Sequence, residues 1–168
     1  AQIFITEDVR ANTEKVISFI RQADRLGLDI VLFPETALSG YFPLHYPQGD
    51  YPSGALLDSA LAAVQTAARE AGLWVVVGSS TQSEGRYYNM VYAIDNRGEI
   101  RSSYGKVHGT GGRDYGRWLE IKAFEDEGMR YGLQICYDAR FPEAWRILAL
   151  QGAQVVFQSS AVVQARER

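Results

Sequence analysis

The sequence predicts an α/β fold whose sheet mixes parallel and antiparallel strands. Two patterns predict it. In the first half, amphipathic helical stretches alternate with short apolar runs, and in the middle two alternating stretches flank a turn. A third observation makes a core available: 46% of the 168 residues are apolar and 22% are charged, the balance of a globular chain.

The elements follow in order. Ala1-Gln2-Ile3-Phe4-Ile5 reads as a strand already under way. Residues 10–26 read as an amphipathic helix, with Val16, Phe19, Ile20, Ala23 and Leu26 at helical spacing and Gly27 as a left-handed cap. Residues 30–33 are an uninterrupted apolar run stopped by Pro34, the pattern of a strand buried on both faces. A second helix is expected over 56–71, with Leu57, Leu61, Val64 and Ala68 as its stripe, and a buried strand over 73–77. Residues 88–94 and 100–104 alternate around Asp95-Asn96-Arg97-Gly98, which marks a hairpin. Further strands are expected over 118–124, 131–136 and 155–158, with a helix over 143–151 that Gly152 ends. Two loops, 34–54 and 105–116, are longer than simple connections, and long ordered loops are more often functional than idle.

Composition removes several classes of function. Seventeen basic against twenty acidic residues give a net charge of −3, without the electrostatic footprint of a nucleic-acid binder. One cysteine forms no intrachain disulfide, so a reducing, cytoplasmic setting is expected. No apolar run approaches a membrane span, and no basic-then-apolar leader is visible. His45 and His108 have no metal-ligand spacing with each other or with the cysteine; neither a metal nor an organic cofactor is expected. Gly105-Lys106 is not a phosphate loop, because position 100 is Ile and position 107 is Val.

Three residues carry the chemistry. Cys136 ends a predicted strand just ahead of a helix start. There a thiol is lifted out of the sheet and nearby backbone N–H groups can face a developing oxyanion. Taken alone, a buried structural thiol is the commoner reading of a single cysteine. Glu35 directly follows the strand over 30–33, at the carboxyl edge where α/β folds place their sites. Lys106 ends another strand, ahead of a loop with five glycines in the twelve residues 105–116. Alone, either of the two reads as an ordinary loop charge.

Taken together, their surroundings are specific. LFPETALSGY (residues 32–41), YYN (87–89), YGKVH (104–108) and QICYDARFPE (134–143), continued by GA (152–153) and SSA (159–161), resemble the nitrilase superfamily of carbon–nitrogen hydrolases, in the family's order and over essentially the whole chain. The resemblance implies an αββα sandwich in which Glu35 is the general base, Lys106 its electrostatic partner and Cys136 the nucleophile. An ordinary thiol, with pKa about 8.5, is mostly protonated at neutral pH and needs such a base or a nearby cation. The Tyr137 N–H and the Lys106 ammonium would face the oxyanion. Asp114 is the nearest carboxylate to the second glutamate that the family often carries in the loop after the lysine, and Glu120 lies further on. Tyr41 and Arg140 are candidate substrate-binding residues, the latter for a substrate carboxylate or as a structural ion-pair partner.

The resemblance points to an amidase-like branch acting on a small amide, since true nitrilases usually show Trp-Glu after the cysteine. A nitrilase or an N-carbamoyl-amide hydrolase on the same scaffold is the near alternative, and a non-catalytic assembly module the distant one. Family members are usually longer, so residues 1–168 are expected to be a partial hydrolase domain lacking the C-terminal part of the family fold. Homodimers built by packing the helix over 143–151 across a two-fold axis are also implied.

Overall fold

A computed structural model describes residues 1–42, 44–109, 115–116 and 118–161. Its helices begin where the side chains supply caps. The first, α1 (Val9–Arg25), starts at Asp8, whose carboxylate accepts the backbone N–H groups of Arg10 and Ala11 at 2.9 and 3.0 Å. The second, α2 (Gly54–Ala71), is capped by Ser53 and ends at Gly72 in the left-handed conformation. The third, α3 (Pro142–Leu150), has proline at its start, where a missing N–H costs nothing.

The strands are β1 (Ile30–Leu32), β2 (Trp74–Ser83), β3 (Arg86–Ile94), β4 (Ile100–Gly105), β5 (Ala123–Asp126), β6 (Met129–Ile135) and β7 (Val155–Ser159). They form two sheets, in the orders β1-β2-β3-β4 and β5-β6-β7. The β1/β2 and β6/β7 pairs are parallel and the others antiparallel, the mixed pairing that the sequence predicts.

Period-two alternation builds the layers. Val75 and Val77 of β2 and Met90, Tyr92 and Ile94 of β3 turn toward the helices, packing with Val16, Ile20, Leu57 and Val64. Val76, Val91 and Ala93 turn the other way and meet Tyr131, Leu133 and Ile135 of β6 between the sheets. On the outer face of the second sheet, Gly132 lies under Leu148 of α3, where an added Cβ would come within 2.6 Å of Leu148 Cδ1. The result is helix, sheet, sheet, helix: the αββα sandwich implied by the resemblance.

Three expectations are corrected. Residues 1–7 form no strand; of this segment Ala1 touches the sheet edge, its amino group donating to Leu32 O at 2.7 Å, and Phe4 is exposed. The expected strand over 118–124 shrinks to Ala123–Asp126. Trp118 and Ile121, three residues apart, pack on the core while Leu119 is 85% exposed, so the spacing is not that of a strand. Conversely, β2 runs six residues past the expected 77, to Ser83, and joins β3 through Glu84-Gly85, both at positive φ. No helix among the described residues is long and apolar enough to cross a membrane.

Candidate active site

Strand ends from both sheets converge on one place. Glu35 lies just beyond β1, Lys106 directly follows β4 and Cys136 directly follows β6. The first two come from one sheet and the thiol from the other, so the site sits where the two sheets' strand ends meet. The Glu35 segment is fixed by the Phe33 N–H, which donates to Val76 O at 2.8 Å, and by Ser159 Oγ, which donates to Phe33 O at 2.8 Å. Gly78 allows that segment to lie flat on β2: an added Cβ would meet Pro34 O at 2.5 Å and Thr36 N at 2.6 Å.

The Glu35 carboxylate is 1% exposed and carries several contacts. Its Oε1 accepts from Lys106 Nζ at 2.7 Å and from Asn89 Nδ2 at 2.7 Å, and its Oε2 accepts from the Ala161 N–H at 3.4 Å. The Cys136 thiol lies close enough to the same carboxylate to feel its charge. Cys136 is half-buried and has φ of +42°, a left-handed conformation rare for a non-glycine residue. It opens a 3₁₀ turn, Cys136–Arg140, that turns its side chain away from the line of β6.

Burial sets the charge states. It raises the Cys136 thiol above its ordinary value, and the charge of Glu35 raises it further; the Lys106 ammonium and the Ala161 N–H offset only part. The sulfur therefore rests as a thiol beside a carboxylate. Burial acts to lower Lys106, but the charge and hydrogen bond of Glu35 outweigh it and hold the ammonium above its ordinary value. The site thus holds a protonated thiol, a buried cation and a carboxylate paired with that cation. Such a set can move a proton off sulfur and stabilise negative charge on a nearby oxygen.

The other expected residues fall into different surroundings. Tyr41 places its ring 5.8 Å from Lys106 Nζ, at the edge of the site, and its N–H donates to His45 Nδ1 at 2.9 Å. Burial lowers the His45 pKa, with Glu7 opposing, so this ring stays a neutral acceptor. Tyr137 occupies the second position of the 3₁₀ turn. Arg140 is exposed and sits 5.3 Å from the Tyr137 ring. Asp114 lies outside the described residues. Glu120 is exposed and pairs with Lys122 at 3.2 Å rather than with the site. Among the described residues, no cluster of three or more His, Cys, Asp or Glu side chains is arranged to hold a metal ion.

Two contributors went unassigned from sequence. Asn89 appears there only inside a motif, and its contact with Glu35 depends on β3 register. Asp138 is fully buried and accepts from Tyr104 Oη at 2.8 Å and from the His108 N–H at 2.7 Å, with His108 Nδ1 2.9 Å away. It ties the lysine-bearing strand to the thiol-bearing turn. His108 also stacks on Phe141 at 3.6 Å, so it serves this link. The signal was the Asp two residues after the cysteine, which has no local period to announce it.

Known proteins share this arrangement of elements. An amidase from the nitrilase superfamily of Nesterenkonia AN1 superposes with a TM-score of 0.86 at 23% identity, over 96% of this chain and 63% of that one. Another structure of the Nesterenkonia sp. AN1 amidase, with a TM-score of 0.81 at 23% identity over 95% of this chain and 63% of that one, has the acetamide moiety of fluoroacetamide added at its active-site cysteine. Among curated relatives, the N-carbamoylputrescine amidase of Solanum tuberosum is 29% identical over 96% of this chain and 57% of its own length. An (R)-stereoselective amidase of Pseudomonas sp. is 34% identical over 76% of this chain and 46% of its own. The chain therefore spans about half the length of the curated relatives it matches. The profile of the carbon-nitrogen hydrolase family matches residues 1–167, and the chain belongs to that family.

Proposed function

We propose that this protein hydrolyses the C–N bond of a small amide through a thioester on Cys136, releasing ammonia and a carboxylic acid. The observation that carries the reading is the buried Glu35 carboxylate, 2.7 Å from Lys106 Nζ and near enough to the thiol of a strained cysteine at a strand end for its charge to act on that thiol. The covalent adduct on the cysteine of the Nesterenkonia enzyme supports the same use of sulfur.

Glu35 takes the thiol proton as sulfur attacks the amide carbon. The oxyanion faces the Lys106 ammonium and the Tyr137 N–H. As the tetrahedral intermediate collapses, the C–N bond breaks and Glu35 hands its proton to the departing nitrogen. Water then attacks the thioester, with Glu35 taking its proton; the C–S bond breaks, the acid leaves and sulfur regains its hydrogen. Asp114 is proposed as the second carboxylate, with Tyr41 and Arg140 at the substrate. Cys136→Ala tests the reading: ammonia release from a panel of small amides should vanish while the fold persists, and retained turnover would exclude the mechanism.

A second reading, hydrolysis of an N-carbamoyl amide, is favoured by the similarity to the potato enzyme, whose name specifies that substrate. The same panel separates the two, since a carbamoyl substrate yields carbon dioxide besides ammonia. We further propose a cytoplasmic homodimer through α3, on which Leu150 is 82% exposed. Light scattering that gives a monomer at tens of micromolar would exclude the dimer.

A further inference from the structure

We infer that Asn89 is the positioning residue of the Glu35 base: with Lys106 it occupies Oε1 and thereby assigns proton transfer to Oε2. The inference deepens the hydrolase reading above and rests on it. Oε1 takes two short N–H bonds, each 2.7 Å, whereas the backbone contact to Oε2 is a single long one of 3.4 Å. Oε2 is therefore the oxygen with capacity left for the thiol. A glutamate's terminal torsion is soft and roughly two-fold, so a lysine alone, a point charge on a flexible stem, leaves the carboxylate free to swing. A second donor fixed in the sheet removes that freedom.

The orientation of the Asn89 amide supports this. An ionised carboxylate only accepts hydrogen bonds, so the amide must present its NH₂ to Glu35. Its carbonyl Oδ1 is then buried with no partner among the described residues, although the side chain is only 2% exposed. An amide that leaves its own acceptor unpaired is held by the donor side. Asn89 acts on the lysine as well: its backbone oxygen accepts the Lys106 N–H at 2.9 Å. It sits on β3, an interior strand, opposite Ser80 of β2. One residue of the sheet thus sets both the rotation of the base and the place of the cation.

The consequence is chemical. The same oxygen must meet three partners in turn: the thiol, the leaving nitrogen and the attacking water. Each transfer moves one proton to or from Oε2 as the S–C bond forms, the C–N bond breaks and the C–S bond is hydrolysed. A carboxylate that alternates its oxygens loses part of this alignment, and misplacement on the scale of an ångström costs up to about 100-fold in rate.

The test uses Asn89→Leu, which keeps the approximate shape without the donor, and Asn89→Ser, which is too short to reach. Expected for each is a fall in kcat of about 10- to 100-fold with KM within about twofold, because the buried residue acts through Glu35. Alkylation of Cys136 by iodoacetamide should slow in parallel. Wild-type kcat in either folded variant would overturn the inference, as would a loss carried by KM. Should neither variant fold, NMR of the Asn89 side-chain amide in the otherwise unchanged chain decides: its protons should shift upfield in Glu35→Gln, and indifference to that substitution would overturn the inference. An active Cys136→Ala protein would instead refute the hydrolase mechanism itself, so the two failures are distinguishable.

Discussion

Replacing Lys106 by methionine should destabilise the protein as well as disable it. Methionine is unbranched and of similar length, so the change removes charge with little change of shape. The Lys106 and Glu35 side chains are 6% and 1% exposed and meet at 2.7 Å. Removing one member of a buried pair costs about 3–5 kcal/mol, because the other charge stays buried without its partner. Here Asn89 Nδ2 and the Ala161 N–H still donate to Glu35, which places the loss near the lower end, at about 3 kcal/mol. For a domain of this size that lowers Tm by about 6–12 °C. The double variant Glu35→Gln with Lys106→Met removes both charges and should recover at least about 1 kcal/mol of the loss. The sign with pH follows from linkage: a lysine raised above its ordinary 10.5 stabilises fully below that pH, and the contribution fades as pH rises through the folded value. The difference between wild type and Lys106→Met should therefore be constant across neutral pH and shrink only in strong alkali. Urea denaturation of the four proteins of the cycle reads all of this. A Lys106→Met protein as stable as wild type, or a cycle with no coupling, would refute the buried-pair account.

Other consequences follow from the same geometry. Glu35→Gln removes the charge that opposes ionisation of Cys136, so thiolate absorbance near 240 nm should appear at lower pH than in wild type although turnover is lost; an unchanged or higher midpoint would contradict the placement of the two groups. Gly78→Ala drives a Cβ to 2.5 Å from Pro34 O and should cost about 1–3 kcal/mol in denaturant together with most of the activity, since the segment that must move carries Glu35; a neutral outcome in both assays would refute the close packing. Asp138→Ala leaves Tyr104 Oη and the His108 N–H without their acceptor and should cost about 2–4 kcal/mol, read by thermal melting, with no effect expected from an exposed carboxylate such as Glu143.

What the sequence made legible is what local periodicity and punctuation encode. The helices α1, α2 and α3 announced themselves through their apolar stripes and caps, and the β3/β4 hairpin through Asp95, which accepts the N–H groups of Arg97 and Glu99 at 2.9 and 2.8 Å. The second half of β2 was not legible because its residues serve the site side rather than an apolar core. Ser79 and Ser80 are buried polar groups, and Ser80 Oγ lies 2.9 Å from Ser39 Oγ and 3.0 Å from Tyr115 Oη. The strand expected at 118 failed for the opposite reason: the Trp118 ring covers Gly105, and its apolar neighbours mimic alternation. At the site, Glu35, Lys106 and Cys136 were legible because each lies in a distinctive motif at a strand end. The left-handed turn at Cys136, the Asn89 clamp and the Asp138 link were not, because they arise from register and from contacts across 30 to 54 residues of chain.

The central claim is that Cys136 becomes acylated by an amide. Intact-mass and peptide mass spectrometry after brief incubation with a small amide, quenched in acid, reads that species directly. The account predicts a mass increase equal to the amide less ammonia, confined to the peptide bearing Cys136, removed by hydroxylamine and absent from Cys136→Ala. Ammonia release with no adduct on Cys136 at any time point, or an adduct on a different residue, would contradict it.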